Sequence, residues 1–113
     1  MIYLASPYTH SDPTTMTARF EAAERFVARA IARERPIFSP IVHCHALAIK
    51  YSMPPEFKFW ETYNLAMLSA AKELWVLKLD GWQDSKGVMA EIDAAEITNK
   101  FITFVGEDYF PCR

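Results

Sequence analysis

A chain of 113 residues, 51% hydrophobic and 23% charged, has the balance of one ordinary globular domain over 1–113, which excludes a disordered segment and a disulfide-held miniprotein. Twelve basic residues stand against fourteen acidic ones, and a formal charge of −2 leaves no electrostatic footprint for a nucleic acid polymer or an anionic membrane. A small-molecule partner is expected.

The chain opens on Ile2-Tyr3-Leu4-Ala5, a short apolar run stopped by Ser6-Pro7, which reads as a buried strand delivered into a loop. No basic n-region precedes it, and no apolar stretch nears the roughly 18 residues that span a bilayer, so a cytoplasmic location is expected. Asp12-Pro13 reads as an N-cap followed by proline at the first helical position. The helix it starts carries Met16, Phe20, Val27 and Ile31 as one apolar stripe and ends near Arg35-Pro36. Ile37-Phe38-Ser39 is a second strand cut off by Pro40.

A short helix is expected near His45 to Tyr51, then a Pro54-Pro55 break and a helix from about Glu56 to Ala71. Leu74 to Leu79 is the third strand, with Trp75 in the core, and Phe101 to Val105 the fourth. Between them Lys86 to Thr98 places Val88, Ile92 and Ala95 at helical spacing, with Ser85 as its cap. Alternating strands and helices imply an α/β fold: a flavodoxin-like doubly wound parallel sheet of four strands, order 2-1-3-4, helices on both faces. Ligands in such sheets sit beyond the carboxyl ends of the strands where the order reverses. Here that is between the first and third strands, at the loops Ala5 to Asp12 and Asp80 to Ser85.

The second loop leads into the richest stretch, Gly81-Trp82-Gln83-Asp84-Ser85-Lys86-Gly87-Val88-Met89-Ala90-Glu91. With Ser85 as cap, Gly87 and Glu91 share a helix face one turn apart. Gly87 suits either a ligand close to the backbone or a tight packing contact, and Glu91 either a site carboxylate or a solvated residue. The helix start, with the Ser85 hydroxyl and Lys86, is a ready anion site, while Asp84 just before the cap suits the helix dipole. Trp82 is a candidate pocket wall and Trp60 a helix-face residue. His43-Cys44-His45 holds zinc-ligand types, but no second cluster supplies further ligands, and Cys44 and Cys112 lack C-x-x-C spacing. Neither metal nor cofactor is expected. The segment lies on the edge of the site, so His43 is a candidate pocket residue.

Met1-Ile2-Tyr3-Leu4-Ala5-Ser6-Pro7-Tyr8 and Gly81 to Ile92 together resemble the nucleoside 2-deoxyribosyltransferase-like proteins, including the short branch called DUF1937. The resemblance implies that Glu91 is the nucleophile, that Gly87 matches the glycine one turn before it, and that Tyr3 hydrogen-bonds the carboxylate. Glu91 would attack the anomeric carbon of a nucleoside to form a glycosyl ester, which water or a second base resolves. Ser6 and Tyr8 in the first loop would contact the substrate, Tyr8 by stacking on the base or shielding the pocket.

Family members use an Asp late in the helix before the third strand to handle the leaving base, where this chain has Asn64, which donates no proton as an acid does. Asp80 is the replacement candidate, although before Gly81 it also suits a turn. Relatives that act on free nucleosides carry Asp six residues before the nucleophile and nucleotide-preferring ones carry Ser, so Ser85 implies a nucleoside 5′-monophosphate. The small size and the resemblance together imply a homo-oligomer that completes its pocket across an interface, and Tyr109-Phe110-Pro111, an aromatic tail that wants a surface to cover, is a candidate contributor. Base exchange on free deoxynucleosides, a non-catalytic nucleotide-binding or sensor domain, and a partner subunit with a vestigial site are the competing expectations.

Overall fold

The computed structural model describes residues 1–108, 110 and 111. Every residue of β1 (Ile2–Ala5) is buried, because the strand runs between two others with packed layers over both of its faces. It pairs in parallel with β2 (Ile37–Phe38) and with β3 (Glu73–Leu77), and β3 pairs in parallel with β4 (Phe101–Val105). The order is β2-β1-β3-β4, as the alternating pattern predicts, and the reversal falls between β1 and β3.

Strand alternation sorts β1 between two cores. Ile2 and Leu4 join Phe26 of α1 (Pro13–Ala32), Trp75 and Leu77 on one face. Tyr3 and Ala5 join Leu68 of α3 (Phe57–Ala70) and Val88 and Ala95 of α4 (Lys86–Ile97) on the other. That parity sends the Tyr3 phenol toward α4, the helix that carries Glu91.

The helix starts follow the sequence closely. Asp12 accepts from the Thr14 N–H with Pro13 next, and Ser85 accepts from the Val88 N–H. Each such cap is worth about 1 kcal/mol. α2 (Pro40–Lys50) departs from expectation: it begins at Pro40 and not near His45, because Ser39 caps it through the Val42 N–H and Pro40 needs no N–H at the first position. The α1 stripe is also corrected. Ala22, Ala23, Phe26 and Ala30 are buried, while Ile31 is 63% exposed, since the alanines let the helix lie close to the sheet, where Phe26 reaches in to Trp75 and Val27 packs partly buried on the same core.

At the end of the described chain Phe110 packs on Phe26 and Trp75, beneath the guanidinium groups of Arg33 and Arg35. It covers part of its own core. Tyr109, the other aromatic of that segment, lies outside the described residues, as does Cys112. No described helix is long and apolar enough to cross a membrane.

Candidate active site

A cavity of about 520 Å3 opens at the carboxyl edge of β1 and β3, lined by the β1–α1 loop, α2, α3 and the start of α4. Glu91 stands in its wall, 3% exposed, and accepts a hydrogen bond from the Tyr3 hydroxyl. Burial pushes the Glu91 carboxyl up to about 8, against the Tyr3 hydrogen bond, which lowers it. Tyr3 itself is held protonated far above the ordinary phenol range, by burial first and then by the Glu91 charge. It therefore serves as a donor that orients the carboxyl, and not as a base.

Around this pair the structure gathers most of the residues singled out in the sequence. Ser6, Tyr8, Asn64, Asp84, Ser85, Lys86 and Gly87 all line the cavity with Glu91. The Ser6 hydroxyl and the Asn64 Oδ1 are buried there with no hydrogen-bond partner among the described residues. An orphaned buried polar atom costs about 1 to 3 kcal/mol, which a polar ligand would recover. Gly87 has a packing reason of its own: a Cβ would come within 3.0 Å of the Phe57 ring on α3.

Two proposed site residues lie elsewhere. Asp80 is exposed and does not line the cavity. Gly81, at a φ of +85° that favours glycine, turns the chain there, and the Asp80 carbonyl accepts from Arg19 Nη2 at 3.0 Å beside a separate groove. Asp84, one 3-10 turn later (Trp82–Asp84), is the loop carboxylate that does face the cavity. His43 is likewise exposed, stacked on Tyr63 with its Nε2 3.1 Å from the Tyr63 hydroxyl. Helix α2 points His43 and His45 to different neighbours. Of the trio it is Cys44 that lines the cavity, as a thiol pushed up to about 11 by burial and then by Glu91.

Residues 1–107 match the model of a family described as a domain of unknown function (DUF1937). The chain belongs to that family. The match spans every residue that lines the cavity of this DUF1937 domain, from Ser6 to Glu91. A comparison with curated proteins finds no match.

Sequence reasoning missed Arg19, Glu56 and Trp60. Arg19 donates from α1 to the carbonyls of Tyr8, Thr9 and Asp80, at 3.4, 3.1 and 3.0 Å, tying together the two loops that frame the cavity. Its position on the polar face of α1 gave no signal of that role. Glu56 and Trp60 line the cavity from the start of α3, Trp60 fixed by its indole N–H donating to the Pro54 carbonyl at 2.8 Å. The Pro54-Pro55 break was the available hint that this segment bends toward the site.

Proposed function

We propose that this DUF1937 chain cleaves the N-glycosidic bond of a nucleoside or deoxynucleoside 5′-monophosphate through a glycosyl ester on Glu91. The observation that carries this reading is the buried Glu91 carboxyl, held by the Tyr3 hydroxyl in the wall of a cavity of about 520 Å3. Pockets for small ligands run from about 300 to 1,000 Å3, so a mononucleotide suits the space. The resemblance to nucleoside 2-deoxyribosyltransferase-like proteins supports the same roles for Glu91 and Tyr3.

In this reading the ionised Glu91 attacks the anomeric carbon, the carbon–nitrogen bond breaks, and the base leaves with the bonding electrons and takes up a proton. Water then adds to the anomeric carbon, releases the carboxylate and gives up a proton, so that one water is consumed and free base and sugar phosphate result. Asp84 and Glu56, the other carboxyl side chains lining the cavity, take the place of Asp80 in supplying the base's proton. Ser85, the first N–H groups of α4 and Lys86 receive the 5′-phosphate. The enzyme acts on a small molecule in the cytoplasm, as a homo-oligomer. Exposed Ile49, Phe59 and Tyr63, near the cavity residues Ala48 and Trp60 in sequence, are the surface a second copy would cover.

One feature favours a second reading, a nucleotide-binding domain without turnover: Asn64 places a neutral amide where the resemblance implies an acid. Incubation with nucleosides and their 5′-monophosphates, with and without acceptor bases, followed by chromatography of the products, separates the readings. Free base formed without acceptor is the expected result. Exchange that requires an acceptor means a transferase, and ligand binding with no product means the binding domain. Light scattering at micromolar concentration tests the assembly, and a fully active monomer removes it.

A further inference from the structure

Tyr8 and His45 come from the β1–α1 loop and from α2, and only the tertiary fold brings them together. The Tyr8 hydroxyl lies 2.7 Å from His45 Nδ1, and both residues are buried. The imidazole stacks on Phe20 of α1, with centroids 4.0 Å apart and planes at 16°, and meets the Tyr8 ring edge to face at 5.6 Å.

Burial holds His45 below the ordinary histidine range, while Glu24 and Glu21 on α1 act the other way. Burial, and then Cys44, raises the Tyr8 phenol. A neutral imidazole with its proton on Nε2 offers Nδ1 as the acceptor of the Tyr8 hydroxyl proton. The hydroxyl of Tyr8 is thereby occupied, and the part left to the cavity it lines is its ring. Its backbone is gripped as well, by Arg19 at the Tyr8 and Thr9 carbonyls.

We propose that His45 is a positioning residue that occupies the Tyr8 hydroxyl and holds the Tyr8 ring as a fixed apolar wall for the planar base of the ligand. The identity of that base rests on the nucleotide reading above; the tie between the two side chains does not. His45 touches no ligand in this account and acts through Tyr8.

The ligand-free protein tests the tie first. Nitrogen NMR of the His45 ring at neutral pH shows the Nε2–H tautomer with a hydrogen-bonded Nδ1, and Tyr8→Phe moves the Nδ1 resonance. An unmoved resonance overturns the inference whatever the ligand. The second arm uses 2′-deoxyadenosine 5′-monophosphate as the probe. His45→Phe keeps a ring on Phe20 but removes the acceptor, and raises Kd or KM by roughly 3- to 10-fold with kcat little changed, the scale of one neutral hydrogen bond. Tyr8→Phe does the same, the double variant is no worse than either, and His45→Asn, which places an acceptor near Nδ1, restores affinity. Weakening by Tyr8→Phe with none by His45→Phe means that the hydroxyl meets the ligand directly and overturns the inference. Absence of probe binding while the NMR tie is intact overturns the nucleotide reading and leaves the tie supported.

Discussion

Two helices start at the cavity with the same device and different consequences. Ser39 caps α2 through the Val42 N–H and Ser85 caps α4 through the Val88 N–H, each at 3.2 Å. Ser39 is buried and followed by Pro40, which has no N–H to offer, so the start of α2 is a joint between β2 and the helix. Ser85 is half-buried and followed by Lys86 and Gly87, whose N–H groups have no carbonyl one turn back and which both line the cavity. A serine cap announces a helix. The residue after it, and its access to open space, decide whether that helix start is also a place for an anion.

The largest expected effect comes from the far end of the same turn of α4. Glu91→Gln should lower any glycosidic turnover by more than about 100-fold with the fold intact, since a neutral amide of nearly equal size is a far poorer nucleophile. Retention of a sizeable fraction of the rate would remove Glu91 from the role. The same variant changes stability in a direction fixed by the carboxyl's shift from its ordinary 4.5 to about 8. Between those values the native state holds a proton that the unfolded state has released, so the wild type loses stability as pH rises, by a few kcal/mol on the order expected for such a shift. Denaturant titrations from pH 5 to 9 should show that fall in the wild type and a much flatter curve for Glu91→Gln.

Tyr3→Phe should lower turnover by roughly 10- to 100-fold if the hydroxyl orients the carboxyl. A Tyr3 that is only structural would lose stability at an unchanged rate. Next comes the contrast between the caps. Ser85→Asp keeps a capping oxygen but adds charge, and should erase or invert a preference of roughly 10- to 100-fold in kcat/KM for the monophosphate over the nucleoside. Ser39→Ala should cost about 1 kcal/mol of stability and leave that ratio unchanged. Equal changes at both caps would dissolve the distinction between joint and site. On stability, Gly87→Ala, with its Cβ 3.0 Å from Phe57, should cost about 1 to 3 kcal/mol through overpacking, read from thermal melts.

Much of this arrangement was legible in the chain before folding. The apolar run Ile2 to Ala5, the capped helices at Asp12 and Ser85, and the alternation of strand and helix are short-range signals. They dictate a parallel sheet and hence which edge holds the site. Glu91 and Gly87 one turn apart on α4 followed from helical periodicity, whereas the pairing of Tyr3 with Glu91 was implied only by the family resemblance. Asp80 against Asp84 was not legible. Both are loop carboxylates close in sequence, and a left-handed turn at Gly81 and a 3-10 turn after it decide which one faces the cavity.

His43, Cys44 and His45 could not be sorted by sequence because their destinations depend on Tyr63, Glu91 and Phe20, residues far away along the chain that only packing brings near. Ile31 and Phe110 show the same limit in the core. An apolar side chain at the correct spacing was left in water, and one near the chain's end was drawn in, because burial is awarded by the surface available opposite and not by the residue alone. Local propensity and period determined the elements, their order and the edge where chemistry can occur. Which side chains meet there was decided by tertiary contacts, since the hydrogen bond from Tyr3 to Glu91 spans 88 residues and no short-range pattern encodes it.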